Sequence, residues 1–379
     1  MDAAGYKRLF DKIADNVNLA IHGKDDVVRL ALVAVCANGH VLFEDVPGVG
    51  KSMLARALGA SMSAKVSRIQ CTPDMLPGDI TGSSVIEQRQ GKMNFVFKPG
   101  PVFTNILLVD EINRATPKTQ SALLEAMAER NVTAEGVTHP LPAPFLCLAT
   151  QNPVENAGTF PLPEAQLDRF LFRLSIGYPD LEAERLVARG NATGLEVEKL
   201  EPVCSTEEVL AMQAVAAEVT IPVAVETYIL EIVQSTRQDA ALLMAASPRA
   251  TIALFRASRA LAAADGRGQV YPEDVKALLN PTLQHRTLLN PDALLRGETV
   301  EDVLERTVAR IKPPLVAPAP PPAAPRRRQA ALSVAPVASV APVGVVDGPV
   351  STVGTVGGNG TTNGKRSRLP RRSATRPRS

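Results

Sequence analysis

Tryptophan is absent from these 379 residues, and aromatic side chains make up only 4% of them. That scarcity argues against a protein that holds nucleobases on stacking platforms. Cysteine is nearly as scarce. Cys36, Cys71, Cys147 and Cys204 stand far apart with no CxxC pair, which predicts buried, reduced thiols rather than a disulfide framework. The histidines, His22, His40, His139 and His285, share no ligand spacing with them, so a resident transition metal is not expected. Long apolar runs are missing too. The N-terminal MDAAGYKRLFDKIADN reads as a charged amphipathic helix without the apolar stretch of a signal peptide. The longest uncharged stretch, Ala330 to Val346, is broken by Pro336 and Pro342, so no transmembrane helix and a cytoplasmic location are expected.

What is present is unevenly distributed. The formal net charge is +2, yet 10 of the 41 basic residues and only Asp347 among the acids lie beyond residue 312. The body is therefore acidic and the tail basic, which makes the body a poor binder of nucleic acid. The tail runs from Pro/Ala/Val to Gly/Thr/Asn and ends in KRSRLPRRSATRPRS; residues 313–379 are expected to be disordered. Such a tail is a solvated tether, or a salt-sensitive electrostatic contact for an anionic membrane surface or nucleic acid.

Before the tail, two helical patterns flank a break at Ile21-His22-Gly23: Leu9, Ile13, Val17 and Ala20 share one stripe, and Val27, Leu30, Val33 and Ala34 the next. HVLFEDV, PGVGKS and MLARALGASM then read as strand, loop and helix in immediate succession, with KVSRIQ the next strand. Two alternating segments, about 82–103 around Gln90-Gly91 and about 131–141 around Glu135-Gly136, predict hairpins. NILLVDE and PFLCLAT read as strands buried on both faces, and Thr116-Pro117 as the N-cap and first residue of a helix. The resulting reading is an α/β domain with a mainly parallel sheet over 1–178, followed by a smaller all-α domain over 179–312.

The chemistry concentrates in two segments. Asp45-Val-Pro-Gly48-Val-Gly50-Lys51-Ser52 fits the phosphate loop GxxxxGK[ST] except at its first position, where Asp45 replaces Gly. Glycines let backbone N–H groups close on phosphate oxygens, an ammonium reaches the outer phosphates, and a hydroxyl meets Mg²⁺. Asp45, at the strand exit, is expected to be tolerated. About sixty residues on, an apolar strand delivers Asp110 and Glu111, a pair suited to holding Mg²⁺ with the first acid and activating water with the second. Asn152, in ATQNP, is either a turn residue before Pro153 or an amide beside the γ-phosphate. Arg169 and Arg249 are candidates for γ-phosphate guanidinium groups, or else helix-surface residues in salt bridges.

The series GHVLFEDVPGVGKS, LLVDEINRA, ATQNPVENAGTFPLPEAQLDRFLFRL and SPRA, spread over roughly residues 20–290, strongly resembles the MoxR family of AAA+ ATPases. The resemblance implies an AAA+ P-loop NTPase core with a small helical lid, using ATP and Mg²⁺. It makes Lys51 and Ser52 the Walker A pair and Asp110 and Glu111 the Walker B pair, with Asn152 as sensor 1 and Arg249 as sensor 2. Arg169 becomes an arginine finger on a neighbouring subunit's nucleotide, and Arg114 a further interface candidate. Pro47, Gly48, Val49, Gly50 and Met53 would line the nucleotide, with Ile21 and Gly23 at the adenine. The hairpin at 82–103 resembles the helix-2 insert, and with the second hairpin it would face a ring's pore. A ring, commonly a hexamer, a protein client and a partner with a von Willebrand factor A domain are implied. Magnesium-chelatase-like metal insertion and a nucleic-acid motor remain alternatives on the same scaffold.

Overall fold

The structure is a computed structural model that describes residues 1–46, 48–89, 92–152, 158–191 and 197–316. The expectations for Pro47, for the turn at Gln90-Gly91 and for the tail beyond residue 316 lie outside them. The first two helices are α1 (Ala3–Asn18) and α2 (Asp25–Cys36). On α1 the buried stripe is Tyr6, Phe10, Ile13 and Val17. It is rotated slightly from the expected stripe, because the two aromatic rings present more apolar area than Leu9.

The core then runs β1 (Val41–Glu44), α3 (Lys51–Ser61), β2 (Val66–Gln70), α4 (Pro77–Thr81), the hairpin β3 (Gly82–Arg89) and β4 (Lys92–Pro99), and β5 (Ile106–Asp110). It continues with α5 (Pro117–Glu129), the hairpin β6 (Asn131–Ala134) and β7 (Val137–Pro140), β8 (Leu146–Gln151), α6 (Glu164–Leu167) and β9 (Phe172–Leu174). Thr116 caps α5 by accepting from the Thr119 N–H, with Pro117 in the first turn where its missing donor does no harm.

Strands β2, β5, β8, β1 and β9 form one sheet in that order, every pair parallel. The five residues of β5 are all buried, as a strand covered on both faces requires. Because β1 lies between β8 and β9, the winding reverses beside it, and the crevice of such a sheet opens outside the carboxyl ends of the strands at that point. Register places Gln70 beside Asp110, Phe43 beside Thr150 and Glu44 beside Gln151 at this edge. The β6–β7 turn has positive φ at Glu135 (51°) and Gly136 (80°), the geometry that suits the twist of a tight hairpin. The two hairpins meet where the Phe97 ring stacks on His139, centroids 4.2 Å apart.

Past residue 178 come α7 (Leu181–Asn191), α8 (Thr206–Glu218), α9 (Val223–Thr236), β10 (Leu242–Met244), α10 (Pro248–Ala264), α11 (Pro272–Leu283), β11 (Leu288–Leu289), α12 (Pro291–Leu295) and α13 (Val300–Arg310). This region is helical apart from the antiparallel pair β10–β11, which the all-α reading omitted. Strands of two or three residues carry no alternation to read; they form because the helices bring the segments together. Tyr6, Phe10 and Val33 share one apolar cluster with Val209, Ile229, Leu254 and Leu261. Hydrophobic packing therefore crosses residue 178, and residues 1–316 lie within one compact unit. The four cysteines are buried and unpaired. No helix of the described residues is long and apolar enough to cross a membrane.

Candidate functional site

The phosphate loop occupies the crevice edge, between the end of β1 and the start of α3. Gly48 (φ 87°) and Gly50 (φ 99°) take left-handed conformations, and a Cβ at either would meet nothing within 4 Å. The glycines are thus required by backbone conformation, and they leave an open cradle of N–H groups at the N-terminus of an 11-residue helix. A cavity of about 350 Å³ in front of the loop is lined by Asp45, Gly48, Gly50, Lys51, Ser52, Met53, Asp110, Glu111, Thr150 and Asn152, with Arg56, Arg68 and Gln70. The tertiary structure thus gathers in one place residues drawn from four segments of the chain.

Lys51 donates to the carbonyls of Asp45 and Val46, both at 3.0 Å, which folds its ammonium back over the loop. Burial lowers its pKa, and the carboxylates of Asp45, Asp110 and Glu111 oppose that shift. Asp110 is nearly buried; it accepts from Arg68 Nε at 2.7 Å and from the Thr150 hydroxyl at 3.3 Å. The same Thr150 oxygen accepts from the Glu111 N–H at 2.9 Å. One hydroxyl therefore holds both acids, and it fixes the turn in which Glu111 has φ 56°, a conformation that costs about 1 kcal/mol or more for a residue with a side chain. Arg114 Nε lies 3.0 Å from Glu111 Oε2. Among the described residues no group of His, Cys, Asp and Glu forms a metal-binding cluster, but a hydroxyl at Ser52 beside the Asp110 carboxylate is the oxygen donor set that suits Mg²⁺ arriving with phosphates.

Asp45 has a role that its place in the loop did not reveal. Its carboxylate accepts from the Ser175 hydroxyl at 2.7 Å and from the N–H groups of Ile176 and Gly177 at 2.6 and 3.1 Å. It ties the start of the phosphate loop to the segment after β9, about 130 residues away. To the expectation that Asp45 is tolerated at the strand exit the structure adds an anchoring contact.

A second cavity, about 200 Å³ and more apolar, adjoins the first through Gly48, Gly50 and Met53 and is walled by Ile21, Val49, Pro179 and Val187. Its apolar lining suits a heterocycle. Gly23 (φ 67°) turns the chain beside it, against Ala183.

Arg169 and Arg249 are not at the phosphate loop. They line a third cavity of about 390 Å³ together with Arg130, Arg256, Arg286 and Asp168, and it shares no lining residue with the other two. Reading the sequence alone also passed over Thr150, Arg68 and Arg286. Thr150 had a usable signal, since it is the last buried residue of its strand, two residues before Asn152. Arg68 and Arg286 had none, because their partners are set by strand order and by helix packing.

Comparison with known proteins agrees with this geometry. A family described as ATPase family associated with various cellular activities (AAA) matches residues 40–172, and an AAA lid domain matches residues 234–307. The uncharacterized protein YeaC of Bacillus subtilis is 46% identical over 307 residues, 81% of this chain and 95% of that protein. Chaperone MoxR1 of Mycobacterium tuberculosis is 41% identical over 309 residues, 79% of this chain and 81% of that one. A crystal structure from Cytophaga hutchinsonii, provisionally described as an ATPase, superposes with a TM-score of 0.77 at 37% identity, covering 83% of this chain and 97% of that chain. A phosphate loop at the switch point of a parallel sheet, two acids on the next strand but one, a helical lid, and relatives of nearly full length all agree: the chain belongs to the MoxR family of AAA+ ATPases.

Proposed function

We propose that this protein hydrolyses ATP with Mg²⁺ at interfaces between copies of itself in a ring, and uses the cycle to remodel a protein client. The observation that carries the reading is the separation of the two halves of the site. Lys51, Ser52, Asp110, Glu111 and Asn152 converge on one cavity, while Arg169 and Arg249 open into another. The cavity's own arginines do not replace them: Arg68 is engaged by Asp110, and Arg56 is exposed on α3. Arginines that cannot serve their own nucleotide are placed to serve a neighbour's, where a guanidinium on the transferring phosphoryl group accelerates hydrolysis by about 10³–10⁵.

In this reading Lys51 and the loop N–H groups hold the β- and γ-phosphates, and Ile21 and Val49 pack on the base. Ser52 and Asp110 would hold Mg²⁺, which neutralises charge on the phosphate oxygens. Glu111 orients water and takes its proton as the water oxygen bonds to the γ-phosphorus. The bond to the bridging oxygen breaks, and ADP leaves with the electron pair. Asn152 hydrogen-bonds the attacking water or the γ-phosphate. Gln substituted for Glu111 keeps the shape and loses the base, so ATP binding is expected to persist while hydrolysis falls by about 10²–10⁴.

The exposed apolar side chains Ile86, Met93 and Phe95 on the β3–β4 hairpin suit contact with a protein client. The helix-2-insert identity of that hairpin, the hexameric ring, a partner with a von Willebrand factor A domain and a cytoplasmic location belong to the same proposal. The test is hydrolysis rate against protein concentration, with the oligomeric state measured in parallel. Specific activity should rise as the ring assembles; a constant specific activity in a strictly monomeric sample refutes action between subunits.

A further inference from the structure

Arg286 is 4% exposed, and all five of its N–H donors are used. Nε donates to Asp168 Oδ1 at 2.8 Å, one terminal nitrogen to the carbonyls of Leu171 (3.1 Å) and Thr282, and the other to the carbonyls of Asp168 (3.2 Å) and Phe170 (2.5 Å). Four of these five acceptors belong to residues 168–171, the segment that contains Arg169. The neighbouring His285 ring nitrogen Nε2 makes a further contact with the Phe170 carbonyl at 3.0 Å. The remaining carboxylate oxygen of Asp168 accepts from the Ser247 hydroxyl at 2.8 Å, and that same hydroxyl caps α10 by accepting from the Arg249 N–H at 3.1 Å. Arg249 Nη1 itself lies 3.9 Å from this oxygen. By contrast, the Arg169 guanidinium makes no hydrogen bond or ion pair among the described residues and lines an open cavity.

The two arginines that face away from their own phosphate loop thus hang from one buried ion pair. A buried ion pair is a poor way to add stability, because well-packed apolar side chains of the same volume often do as well or better. Its rigid fork of donors fixes geometry instead. The segment 168–171 also contains no regular hydrogen-bonded element between α6 and β9, so its carbonyls need donors from outside.

We propose that Asp168 and Arg286 are positioning residues for hydrolysis at the neighbouring subunit's nucleotide: the pair locks the backbone around Arg169 to the end of α11 and, through Ser247, to the start of α10 that carries Arg249. This deepens the reading of action between subunits and rests on it. Because α10 and α11 belong to the helical lid, the position of the lid in one subunit sets the position of the arginines offered to the next.

The test uses the full chain. Arg286→Lys keeps the charge but cannot reproduce the five-donor fork, and Asp168→Asn keeps an acceptor while removing the charge. For each, ATP binding is measured with a non-hydrolysable analogue and hydrolysis is measured at saturation. Each variant is then mixed with Glu111→Gln. The expected result is a kcat lower by about ten- to a hundredfold, as for a misplacement of about 1 Å, with ATP affinity within about threefold of wild type. Mixing should restore hydrolysis, because the Glu111→Gln subunit contributes correctly held arginines and the other subunit an intact phosphate loop. The Arg169→Ala variant mixed with Glu111→Gln is the control. If that control pair does not recover activity, the reading of action between subunits fails. If the control recovers and neither Arg286→Lys nor Asp168→Asn does, or if both have wild-type kcat, the positioning role is overturned. Loss of a cooperative melting transition in both variants assigns the pair to stability and overturns it as well.

Discussion

Replacing Asp45 by Ala removes a nearly buried carboxylate that accepts three hydrogen bonds, two of them from the main chain of Ile176 and Gly177. A hydrogen bond to a charged group contributes about 1.5–3 kcal/mol, and a buried N–H left without a partner costs about 1–3 kcal/mol. Against that, removing the carboxylate relieves the cost of burying it, several kcal/mol in a dry site and less at this crevice edge. The balance is a loss of about 2–4 kcal/mol, readable by urea unfolding as a lower midpoint with an unchanged slope. Asp45→Asn retains one acceptor oxygen and should lose less than half as much. Asp45→Gly decides between the two descriptions of this position. If residue 45 were only the first position of a phosphate loop, Gly would restore the ordinary pattern and be neutral. If it is the anchor of residues 175–177, Gly should be at least as damaging as Ala, since it also gains backbone entropy in the unfolded chain. An Ala or Gly variant within about 0.5 kcal/mol of wild type, the range of ordinary surface changes, would refute the anchoring argument.

Thr150→Val preserves shape and removes the hydroxyl shared by Asp110 and the Glu111 N–H; stability should fall by about 1–3 kcal/mol and kcat by about tenfold through displacement of Glu111, and wild-type turnover would count against that role. Arg68→Ala frees Asp110 from a half-exposed partner worth about 1 kcal/mol or less, so titration of ATPase activity with Mg²⁺ should show half-saturation at a concentration lower by up to about fivefold; a higher requirement would instead give Arg68 a direct part in holding the nucleotide. His40 is buried, accepts from the Cys147 N–H through Nδ1 and so donates from Nε2 to the Met127 carbonyl. Burial lowers its pKa from 6.5 to about 3. Its contribution to stability is complete above about pH 6.5 and is lost at about 1.4 kcal/mol per pH unit as the pH falls towards 3, because the unfolded state takes up the proton first. The stability difference between wild type and His40→Asn should therefore shrink between pH 7 and pH 5; a difference independent of pH would show that His40 is not neutral in the folded protein.

Much of the nucleotide half of the site was legible because it is local. A strand, a glycine loop and a helix follow one another directly from Val41 to Ser61, and the strand ending at Asp110 reads as buried from its own five residues. The cap at Thr116 and the hairpin turn at Glu135-Gly136 were likewise written in a few adjacent residues. The short pair β10–β11 was not, and neither was the packing of α1 against α10, seen where the Tyr6 hydroxyl approaches the Ala260 carbonyl at 3.4 Å.

The sequence by itself determined which groups are available to this protein: a glycine loop ending in Lys51 and Ser52, the acids Asp110 and Glu111, and the arginines Arg169 and Arg249. Only the tertiary structure decided how those groups are held. Thr150 came to bridge two acids because β8 lies beside β5. Asp45 came to anchor residues 175–177 because β1 lies beside β9. Arg286 came to grip residues 168–171 because the end of α11 packs on the segment leading into β9. In each case the partners are 39, 131 or 118 positions apart. A hydrogen bond over such a separation leaves no periodicity in the chain, since its donor and acceptor are brought together by sheet order and helix packing rather than by their neighbours in sequence.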